Sequence, residues 1–169
     1  MSTIKRLTGD EFRIDIARIN ELLLQQSPNL KKEVTEADVR RVLRDPRFYS
    51  FVAVDSERPE DGYLGMASVV FGRTVANKWI GEIHDVVVDS RSRGQGIGKA
   101  LMQRLIDLAG QLSANWDAKM DLCLTSRPSR IEANALYAKL GFVLTAQAVG
   151  EQGTNFYRMK IEPNGARGL

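Results

Sequence analysis

The chain has 169 residues, of which 43% are hydrophobic and 27% charged, a composition typical of a globular domain. Its formal net charge of +3 comes from 24 basic and 21 acidic residues. These form no basic run, which argues against a nucleic-acid-binding protein. No apolar run in the sequence approaches the roughly 20 residues of a membrane-spanning helix, and the N-terminus does not resemble a secretory signal. We therefore expect a cytoplasmic protein that binds neither nucleic acid nor membrane.

The cysteine content limits which kinds of covalent link and metal site the chain can form. The single cysteine, Cys123, lies in an apolar stretch and has no second cysteine with which to pair. This excludes a disulfide framework, argues against a Cys-based metal site, and predicts a small buried hydrophobic side chain. We expect a protein without a metal.

The first 50 residues predict one strand and two helices. The strand covers residues 3–7. The first helix follows residues 10–11, has apolar residues at spacings of three and four, and ends at residues 27–29. Those apolar residues are Phe12, Ile16, Ile19 and Leu23. The second helix opens at a capping-box pattern in residues 35–38 and stops at residues 45–46.

Three extended segments follow, rich in aromatic and β-branched residues. They cover residues 49–55, 63–71 and 79–88, and the turn-rich segment 57–62 joins the first two as a hairpin. The last residues of the third segment are apolar on both faces, as expected of a central strand that is covered on both sides. These segments predict an antiparallel meander.

The C-terminal half predicts the longest helix, a strand, a shorter helix and two final strands. An apolar series marks the longest helix: Ile97, Leu101, Leu105, Leu108 and Leu112. The strand at 120–125 leads to a helix with a capping-box pattern at 129–132, and strands at 142–146 and 155–161 follow. The chain therefore predicts a mixed α/β domain, with a β-α-β crossover after the meander. We expect a single domain over residues 1–161 and a flexible tail over 162–169.

Three alternate glycines lie at the turn between the central strand and the longest helix. They are Gly94, Gly96 and Gly98. Glycines at such a turn let the backbone approach a ligand closely, and the unpaired N–H groups of the first helical turn favour an anion. The turn therefore predicts a phosphate or pyrophosphate ligand.

The spacing of these glycines distinguishes between the families that use such a turn. A dinucleotide fingerprint requires glycine at the position of Lys99, and a nucleotide triphosphatase loop requires glycine at Arg93 and a hydroxyl at Ala100. The remaining pattern is Arg-x-x-Gly-x-Gly, formed by Arg93, Gly96 and Gly98. This pattern resembles the acetyl-CoA pyrophosphate loop of the GNAT superfamily of N-acetyltransferases.

A second motif supports the resemblance. Asn134 and Tyr137, followed by Leu140-Gly141-Phe142, are similar to the family's Asn-x-x-Tyr and Leu-Gly-Phe signature downstream of a strand. The resemblance implies a GNAT-type fold, in which helices flank both faces of a mostly antiparallel central sheet and a β-α-β unit binds acetyl-CoA. The first 50 residues match only in the order of their elements, and in this family they shape the acceptor pocket.

The chemistry requires a group that removes a proton from the amine. Glu82 and His84 are two residues apart and therefore share one face of the central strand, just before the glycine turn. The resemblance implies that a carboxylate or histidine at these positions acts as the base, and the sequence leaves the choice between them open. Asp85 is expected on the other face, in a structural role.

The resemblance also implies which residues bind the acyl donor and protonate the leaving thiolate. Asn134 and Tyr137 share one helical face; Asn134 binds the CoA arm, and Tyr137 protonates the sulfur. A backbone N–H near Val86 or Val87, where the family has a bulge, meets the oxyanion. The implied cofactor-binding residues are Val86, Val87, Val88, Arg93, Gly94, Gln95, Gly96, Ile97, Gly98, Lys99, Asn134 and Tyr137.

Together these features predict an enzyme that transfers the acetyl group of acetyl-CoA directly to a primary amine of a small molecule in a ternary complex, without a metal. Two alternatives stay open: acetylation of a protein lysine or N-terminus, and a non-catalytic module that binds acetyl-CoA. Residues 81–89 resemble the matching strand of glucosamine-phosphate N-acetyltransferases, but with the acidic residue and the histidine exchanged, so no subfamily is assigned. Dimers are common in the superfamily, and the sequence does not determine whether this chain forms one.

Overall fold

The computed structural model describes residues 1–11, 13–147, 149 and 153–163 and has the predicted order of elements. The strands are β1 (Ser2–Leu7), β2 (Phe48–Asp55), β3 (Tyr63–Arg73), β4 (Trp79–Val88), β5 (Met120–Ser126), β6 (Val143–Ala146) and β7 (Asn155–Ile161). The helices are α1 (Ile16–Gln26), α2 (Glu36–Leu43), α3 (Ile97–Asn115) and α4 (Ile131–Lys139).

The strands form a seven-stranded mixed sheet in the order β1-β2-β3-β4-β5-β7-β6. β1 pairs with β2, and β2 with β3, in antiparallel register. β4 and β5 are parallel and are connected through α3, so they form the predicted β-α-β unit. β7 is antiparallel to both β5 and β6. The predicted fold class, a mixed α/β sheet flanked by helices, is confirmed.

The chain forms two compact units, each built from two separate stretches. The first unit contains Met1–Val70 and His84–Leu105, and the second contains Phe71–Ile83 and Ile106–Leu169. Both β3 and β4 contribute residues to each unit.

Helices cover both faces of the sheet in the first unit. Val52 of β2 packs in one hydrophobic cluster with Ile19 and Leu22 of α1. The next side chain toward the N-terminus, Phe51, points to the opposite face, where the guanidinium of Arg104 on α3 lies 5.1 Å from its ring centroid. Alternation along one strand thus separates the α1 face from the α3 face.

Side-chain caps determine where the first two helices begin. α1 begins at Ile16 rather than directly after residue 11, because the carboxylate of Asp15 accepts the backbone N–H that caps its first turn. Phe12, predicted on the inner face of this helix, lies outside the described residues. The predicted start of α2 is confirmed, since Thr35 and Asp38 form a reciprocal capping box.

Aromatic side chains form much of the packing in the second unit. Trp79 of β4 stacks on Trp116, with ring centroids 4.2 Å apart, and Phe71 of β3 meets the edge of Trp116. Tyr137 of α4 is fully buried. Cys123 of β5 is only partly buried, and this burial raises the pKa of its thiol, so the sequence prediction of a buried side chain holds in part.

The predicted capping box of the last helix is wrong. α4 begins at Ile131, and Arg130 occupies the cap position without any side-chain hydrogen bond to the helix. The Asn134 amide instead donates to the carbonyl oxygen of Arg127, at 2.9 Å, and ties the preceding turn to the first helical turn. The predicted stop at Gly141 is confirmed, because its φ of 97° lies in the left-handed region.

The structure also bears on expectations that concern the whole chain. Among the described residues, no helix has the length and apolarity needed to cross a bilayer. In the same part of the chain, no three His, Cys, Asp or Glu side chains gather as metal ligands would. Residues 164–169 of the predicted tail lie outside the described residues, and a single domain over 1–161 stays a prediction.

Candidate functional site

The glycine turn of the first unit has the backbone that an anion site requires. Gly94 and Gly96 have φ angles of 75° and 79°, a left-handed conformation that side chains with a Cβ rarely adopt. A Cβ placed on either residue would have no described heavy atom within 4 Å, so the backbone here is open to a ligand. Gly98 belongs to the first turn of α3, whose N–H groups have no helical partner.

Asp89 holds the beginning of this turn in place. Its carboxylate is 1% exposed and accepts hydrogen bonds from Arg18 and Gln25 of α1 and from Arg91. Gln25 also accepts the backbone N–H of Ser90, at 2.8 Å. The hydrogen bond from Arg91, together with those from Arg18 and Gln25, holds the pKa of Asp89 well below its usual range, so the carboxylate stays ionised.

The sequence did not reveal this Asp89 network. Arg18 and Asp89 are 71 residues apart, and neither belongs to a local motif that predicts an ion pair. Arg18 is nevertheless almost fully buried, and its Nε donates to the carbonyl oxygen of Tyr63 at 2.8 Å. The network therefore connects α1, the first residue of β3 and the start of the glycine turn within the first unit.

The strand that leads to the turn carries the predicted bases. Along β4, Gly81 and Ile83 are buried whereas Glu82 and His84 are exposed, the alternation expected of a strand. Asp85 interrupts this pattern: it is partly exposed, and its φ of 54° lies in the left-handed region. Such a residue is typical of the local geometry of a β-bulge.

The three valines that follow complete the strand. Val86 and Val87 are 9% and 4% exposed, and Val88 is partly buried. The carbonyl oxygen of Val88 accepts a long hydrogen bond from Arg93, at 3.4 Å. The backbone that the sequence predicts to meet the pantetheine arm thus directly follows the left-handed residue.

Tyr137 is the most deeply placed candidate of the second unit. It is 1% exposed, and its ring meets Tyr157 and Phe142 edge-on, with centroids 5.7 and 6.3 Å away. Burial raises the pKa of its hydroxyl, so Tyr137 keeps its proton at neutral pH. A hydroxyl that keeps its proton at neutral pH is available as a proton donor.

Two buried polar atoms of the second unit are left without a hydrogen-bond partner among the described residues. They are Oδ1 of Asn134 and Oγ of Ser126, at the C-terminal end of β5. Buried polar atoms are nearly always paired, so each of these atoms is open to a hydrogen bond from a water or a ligand group. The amide groups of a pantetheine arm carry both donors and acceptors, and these residues therefore fit acetyl-CoA.

Ser126 was missed in the sequence, although a signal for it exists. It continues the inward series of Leu122 and Leu124 at the last position of a strand, where the chain turns toward a helix. A polar residue at the inward position of a strand end is a candidate ligand contact, and here it is 3% exposed.

The fold and these side chains define a class: a mixed α/β protein whose β4-turn-α3 segment is shaped to receive an anionic ligand. A family model supports this assignment, because the acetyltransferase (GNAT) family matches residues 16–142, well over half of the chain. The chain therefore belongs to the GNAT acetyltransferase family, as the two sequence motifs indicated.

A curated relative shares part of the sequence. A rice protein (Oryza sativa subsp. japonica) named Probable glucosamine 6-phosphate N-acetyltransferase 2 is 32% identical over 94 residues. The match covers 54% of this chain and 52% of the rice protein, about half the length of each. The similarity thus covers only part of either protein.

Solved structures share the fold over nearly the whole chain. A GNAT-family acetyltransferase from Streptococcus pneumoniae has a TM-score of 0.73 at 18% identity, with 95% of this chain and 99% of that one covered. Arabidopsis thaliana NAA60 in complex with acetyl-CoA has a TM-score of 0.69 at 15% identity, with 98% and 100% covered. At these identities the similarity establishes the fold alone.

Proposed function

We propose that this chain transfers the acetyl group of acetyl-CoA to a primary amine of a small molecule, by direct attack in a ternary complex. The observation that carries the proposal is the glycine turn before α3, where Gly94 and Gly96 are left-handed and open. Membership of the GNAT family supports the same activity.

The first unit supplies the groups that hold the acyl donor. The N–H groups at the start of α3 and the exposed side chains of Arg93 and Lys99 bind the pyrophosphate. The turn residues assigned to this role are Arg93, Gly94, Gln95, Gly96, Ile97, Gly98 and Lys99. When bound, acetyl-CoA supplies an acetyl group that is activated as a thioester. The backbone at residues 86–88 aligns the pantetheine chain, and an N–H there stabilises negative charge on the carbonyl oxygen.

A residue of β4 accepts the proton of the amine. An alkylammonium with a pKa of about 10.4 is neutral in only about one molecule in a thousand at pH 7, so its proton must be removed. Glu82 and His84 are both exposed and can exchange protons with solvent, directly or through water. Either can serve as the base.

The resemblance to the GNAT family assigns the proton donor for the leaving group to Tyr137. Tyr137 is buried and keeps its proton at neutral pH, so its hydroxyl can protonate the departing sulfur. Oδ1 of Asn134, which has no partner among the described residues, accepts an amide N–H of the CoA arm. Asn134 and Tyr137 are three residues apart on α4, which places them on one helical face.

The acceptor is assigned to the small-molecule amines. The supporting observation is the relative named as a glucosamine 6-phosphate N-acetyltransferase, which is 32% identical over about half of each chain. The likeness to Arabidopsis thaliana NAA60 concerns the fold at 15–16% identity and does not bear on the acceptor. Acetylation of a protein amine is therefore treated as a competing outcome of the test.

The decisive experiment measures acetyl-CoA consumption and thiol release with aminosugars, polyamines, amino acids and lysine peptides. Tyr137→Phe is expected to lower kcat by about 100-fold or more while CoA affinity is retained, because only the donated proton is lost. Tyr157→Phe is the matched control, since it removes a hydroxyl from the neighbouring ring 5.7 Å away. It should change kcat by less than about threefold.

A second pair of variants tests the glycine turn by calorimetric CoA binding. Gly96→Ala forces a Cβ into a left-handed residue and should weaken CoA binding, whereas Gly110→Ala in the middle of α3 should not. Turnover of lysine peptides alone would move the assignment to a protein acetyltransferase. CoA binding without turnover of any amine would indicate a non-catalytic module, and equal CoA binding by both alanine variants would refute the turn assignment.

A further inference from the structure

The side-chain amide of Gln25 holds the start of the glycine turn from two sides. Gln25 lies in the last turn of α1. Its Oε1 accepts the backbone N–H of Ser90 at 2.8 Å, and its Nε2 donates to the carboxylate of Asp89 at 3.3 Å. Both polar groups of one amide thus bind two consecutive residues that are 64 and 65 positions further along the chain.

The two partners determine which way this amide points. Hydrogen bonds from Arg91, Arg18 and Gln25 hold the pKa of Asp89 well below its usual range, so the carboxylate can only accept hydrogen bonds. The backbone N–H of Ser90 can only donate. A reversed amide would therefore lose both bonds. At neutral pH the two partners require one donor and one acceptor at the end of the same side chain, which glutamine supplies.

The segment between Ser90 and the glycines is a closed turn. The N–H of Ser92 donates to the carbonyl oxygen of Asp89 at 2.9 Å, and the Asp89 carboxylate accepts the N–H of Arg91 at 2.8 Å. These bonds constrain the backbone between Ser90 and the left-handed Gly94. A displacement of Ser90 therefore also displaces the glycine backbone.

α1 is anchored well enough to act as a reference for the turn. Ile19 and Leu22 are buried in the hydrophobic cluster of the first unit. Arg18 is seven residues before Gln25, about two helical turns, and therefore lies on the same side of the helix. Its Nε donates to the carbonyl oxygen of Tyr63 at 2.8 Å. The end of α1 thus has a defined position, and Gln25 fixes the turn to it.

We propose that Gln25 is a positioning residue for the acyl donor, a role that rests on the proposed function. It acts through Ser90 and Asp89, by holding the turn in the conformation that meets the pyrophosphate. Donors that are already in place bind an anion without the cost of ordering them. Coupling between two sites is reciprocal, so a ligand that stabilises the turn also stabilises the end of α1.

The first test is calorimetric binding of CoA, which requires no turnover. Gln25→Ala removes both bonds and should weaken CoA binding by about fivefold to tenfold. Gln25→Glu keeps an acceptor for Ser90 but places a second carboxylate beside Asp89, so it should weaken binding by about tenfold or more. Gln26→Ala and Gln26→Glu are the matched controls, because they make the same changes about 100° further round the same helix. They should change CoA affinity by less than about twofold.

The kinetic test separates positioning from a direct part in the chemistry. With an amine that the parent protein turns over, Gln25→Ala should raise KM for acetyl-CoA by about fivefold to tenfold, as it weakens CoA binding. The value of kcat and the KM for the amine should change by less than about threefold, because Gln25 acts only on the turn. A large fall in kcat with an unchanged KM for acetyl-CoA would overturn the proposal.

Amide hydrogen exchange provides a readout that a merely structural role would not change. The N–H of Ser27 donates to the carbonyl oxygen of Leu23 at 2.9 Å and closes the last turn of α1. Saturating CoA should slow its exchange in the parent protein, by about the factor that Gln25→Ala loses in CoA affinity. In Gln25→Ala, CoA should leave this exchange unchanged.

The outcomes separate the role of Gln25 from the proposed function. If both Gln25 variants bind CoA as tightly as the parent protein, or if CoA leaves the exchange of Ser27 unchanged in the parent, Gln25 is structural and the proposal is overturned. The acetyl transfer itself would then still stand. A parent protein that binds no CoA would refute the proposed function, and the role of Gln25 with it.

Discussion

Two of the strand-to-helix turns, the one after β4 and the one after β5, are built in opposite ways. In the turn after β4, in the first unit, the Asp89 carboxylate accepts hydrogen bonds from three side chains, and the turn is fixed by the protein itself. In the turn after β5, in the second unit, α4 begins without a side-chain cap. There, Ser126 and Asn134 each leave a buried oxygen without a partner among the described residues.

This difference in hydrogen bonding suggests a different way of binding a ligand at each turn. A buried polar atom without a partner costs about 1–3 kcal/mol, a cost that a bound ligand can offset. The turn after β4 is therefore held in shape by the protein itself, whereas we propose that a bound ligand pairs the two buried oxygens of the turn after β5. Prearranged donors contribute most where charge must be met without reorganisation, as at a pyrophosphate.

The largest expected effect tests whether the first turn is fixed by the protein. Asp89→Asn removes the buried carboxylate from the guanidinium of Arg18 and leaves it only the exposed carboxylate of Glu21, which should lower the free energy of unfolding by about 3 kcal/mol. Urea denaturation at pH 7 measures the loss. Asp45→Asn removes a comparable bond to Arg47 on the surface and should cost far less. Equal losses in Asp89→Asn and Asp45→Asn would mean that Asp89 holds the turn after β4 no more firmly than a surface ion pair would.

The same variant has a defined pH dependence. The pKa of Asp89 is lowered on folding, so its contribution to stability is complete above the ordinary aspartate value and is lost as pH falls through the folded pKa. The stability of the parent should therefore approach that of Asp89→Asn under strongly acidic conditions. A difference that stays constant from pH 7 to pH 2 would show that packing, not charge, holds the turn.

A smaller effect tests whether the second turn is completed by its ligand. Ser126→Ala removes a buried hydroxyl without a partner, so the free energy of unfolding without ligand should stay the same or rise by about 1 kcal/mol. CoA affinity, measured by calorimetry, should fall by about fivefold to tenfold. Ser113→Ala is the matched control, because the Ser113 hydroxyl donates to the carbonyl oxygen of Ala118 at 2.7 Å. It should lose about 1 kcal/mol of stability and keep its CoA affinity.

Much of the fold followed from local patterns in the sequence. The aromatic and β-branched residues of segment 79–88 predicted a strand, and the apolar series from Ile97 predicted a helix, because a short window of sequence reveals both patterns. Gly94 and Gly96 mark left-handed positions that few other residues tolerate. These features depend on residues close together in the chain, so a single sequence is enough to predict them.

Other features depend on partners that are distant in the chain. The bond between Arg18 and Asp89 joins residues 71 positions apart, and neither residue differs in its local context from a surface charge. The left-handed Asp85 and the unpartnered Ser126 arise from the packing of several strands. A local pattern also misleads where a competing bond exists: the Asn134 amide binds the turn before α4, and the Ser129 capping pattern is not used.

The smallest expected effect is the loss of unfolding free energy when a helix cap is removed. It is tested at two helix starts with similar sequence patterns. Thr35→Ala removes the side chain that caps α2 and should lower the free energy of unfolding by about 1 kcal/mol. Ser129→Ala, in the turn after β5, should change it by less than about 0.5 kcal/mol, because α4 begins at Ile131 with Arg130 at the cap position. Urea denaturation of both variants measures the difference. A loss of 1 kcal/mol, about the Thr35 value, in Ser129→Ala would mean that the second turn is capped by its own side chain. Its difference from the first turn would then rest on Ser126 and Asn134 alone.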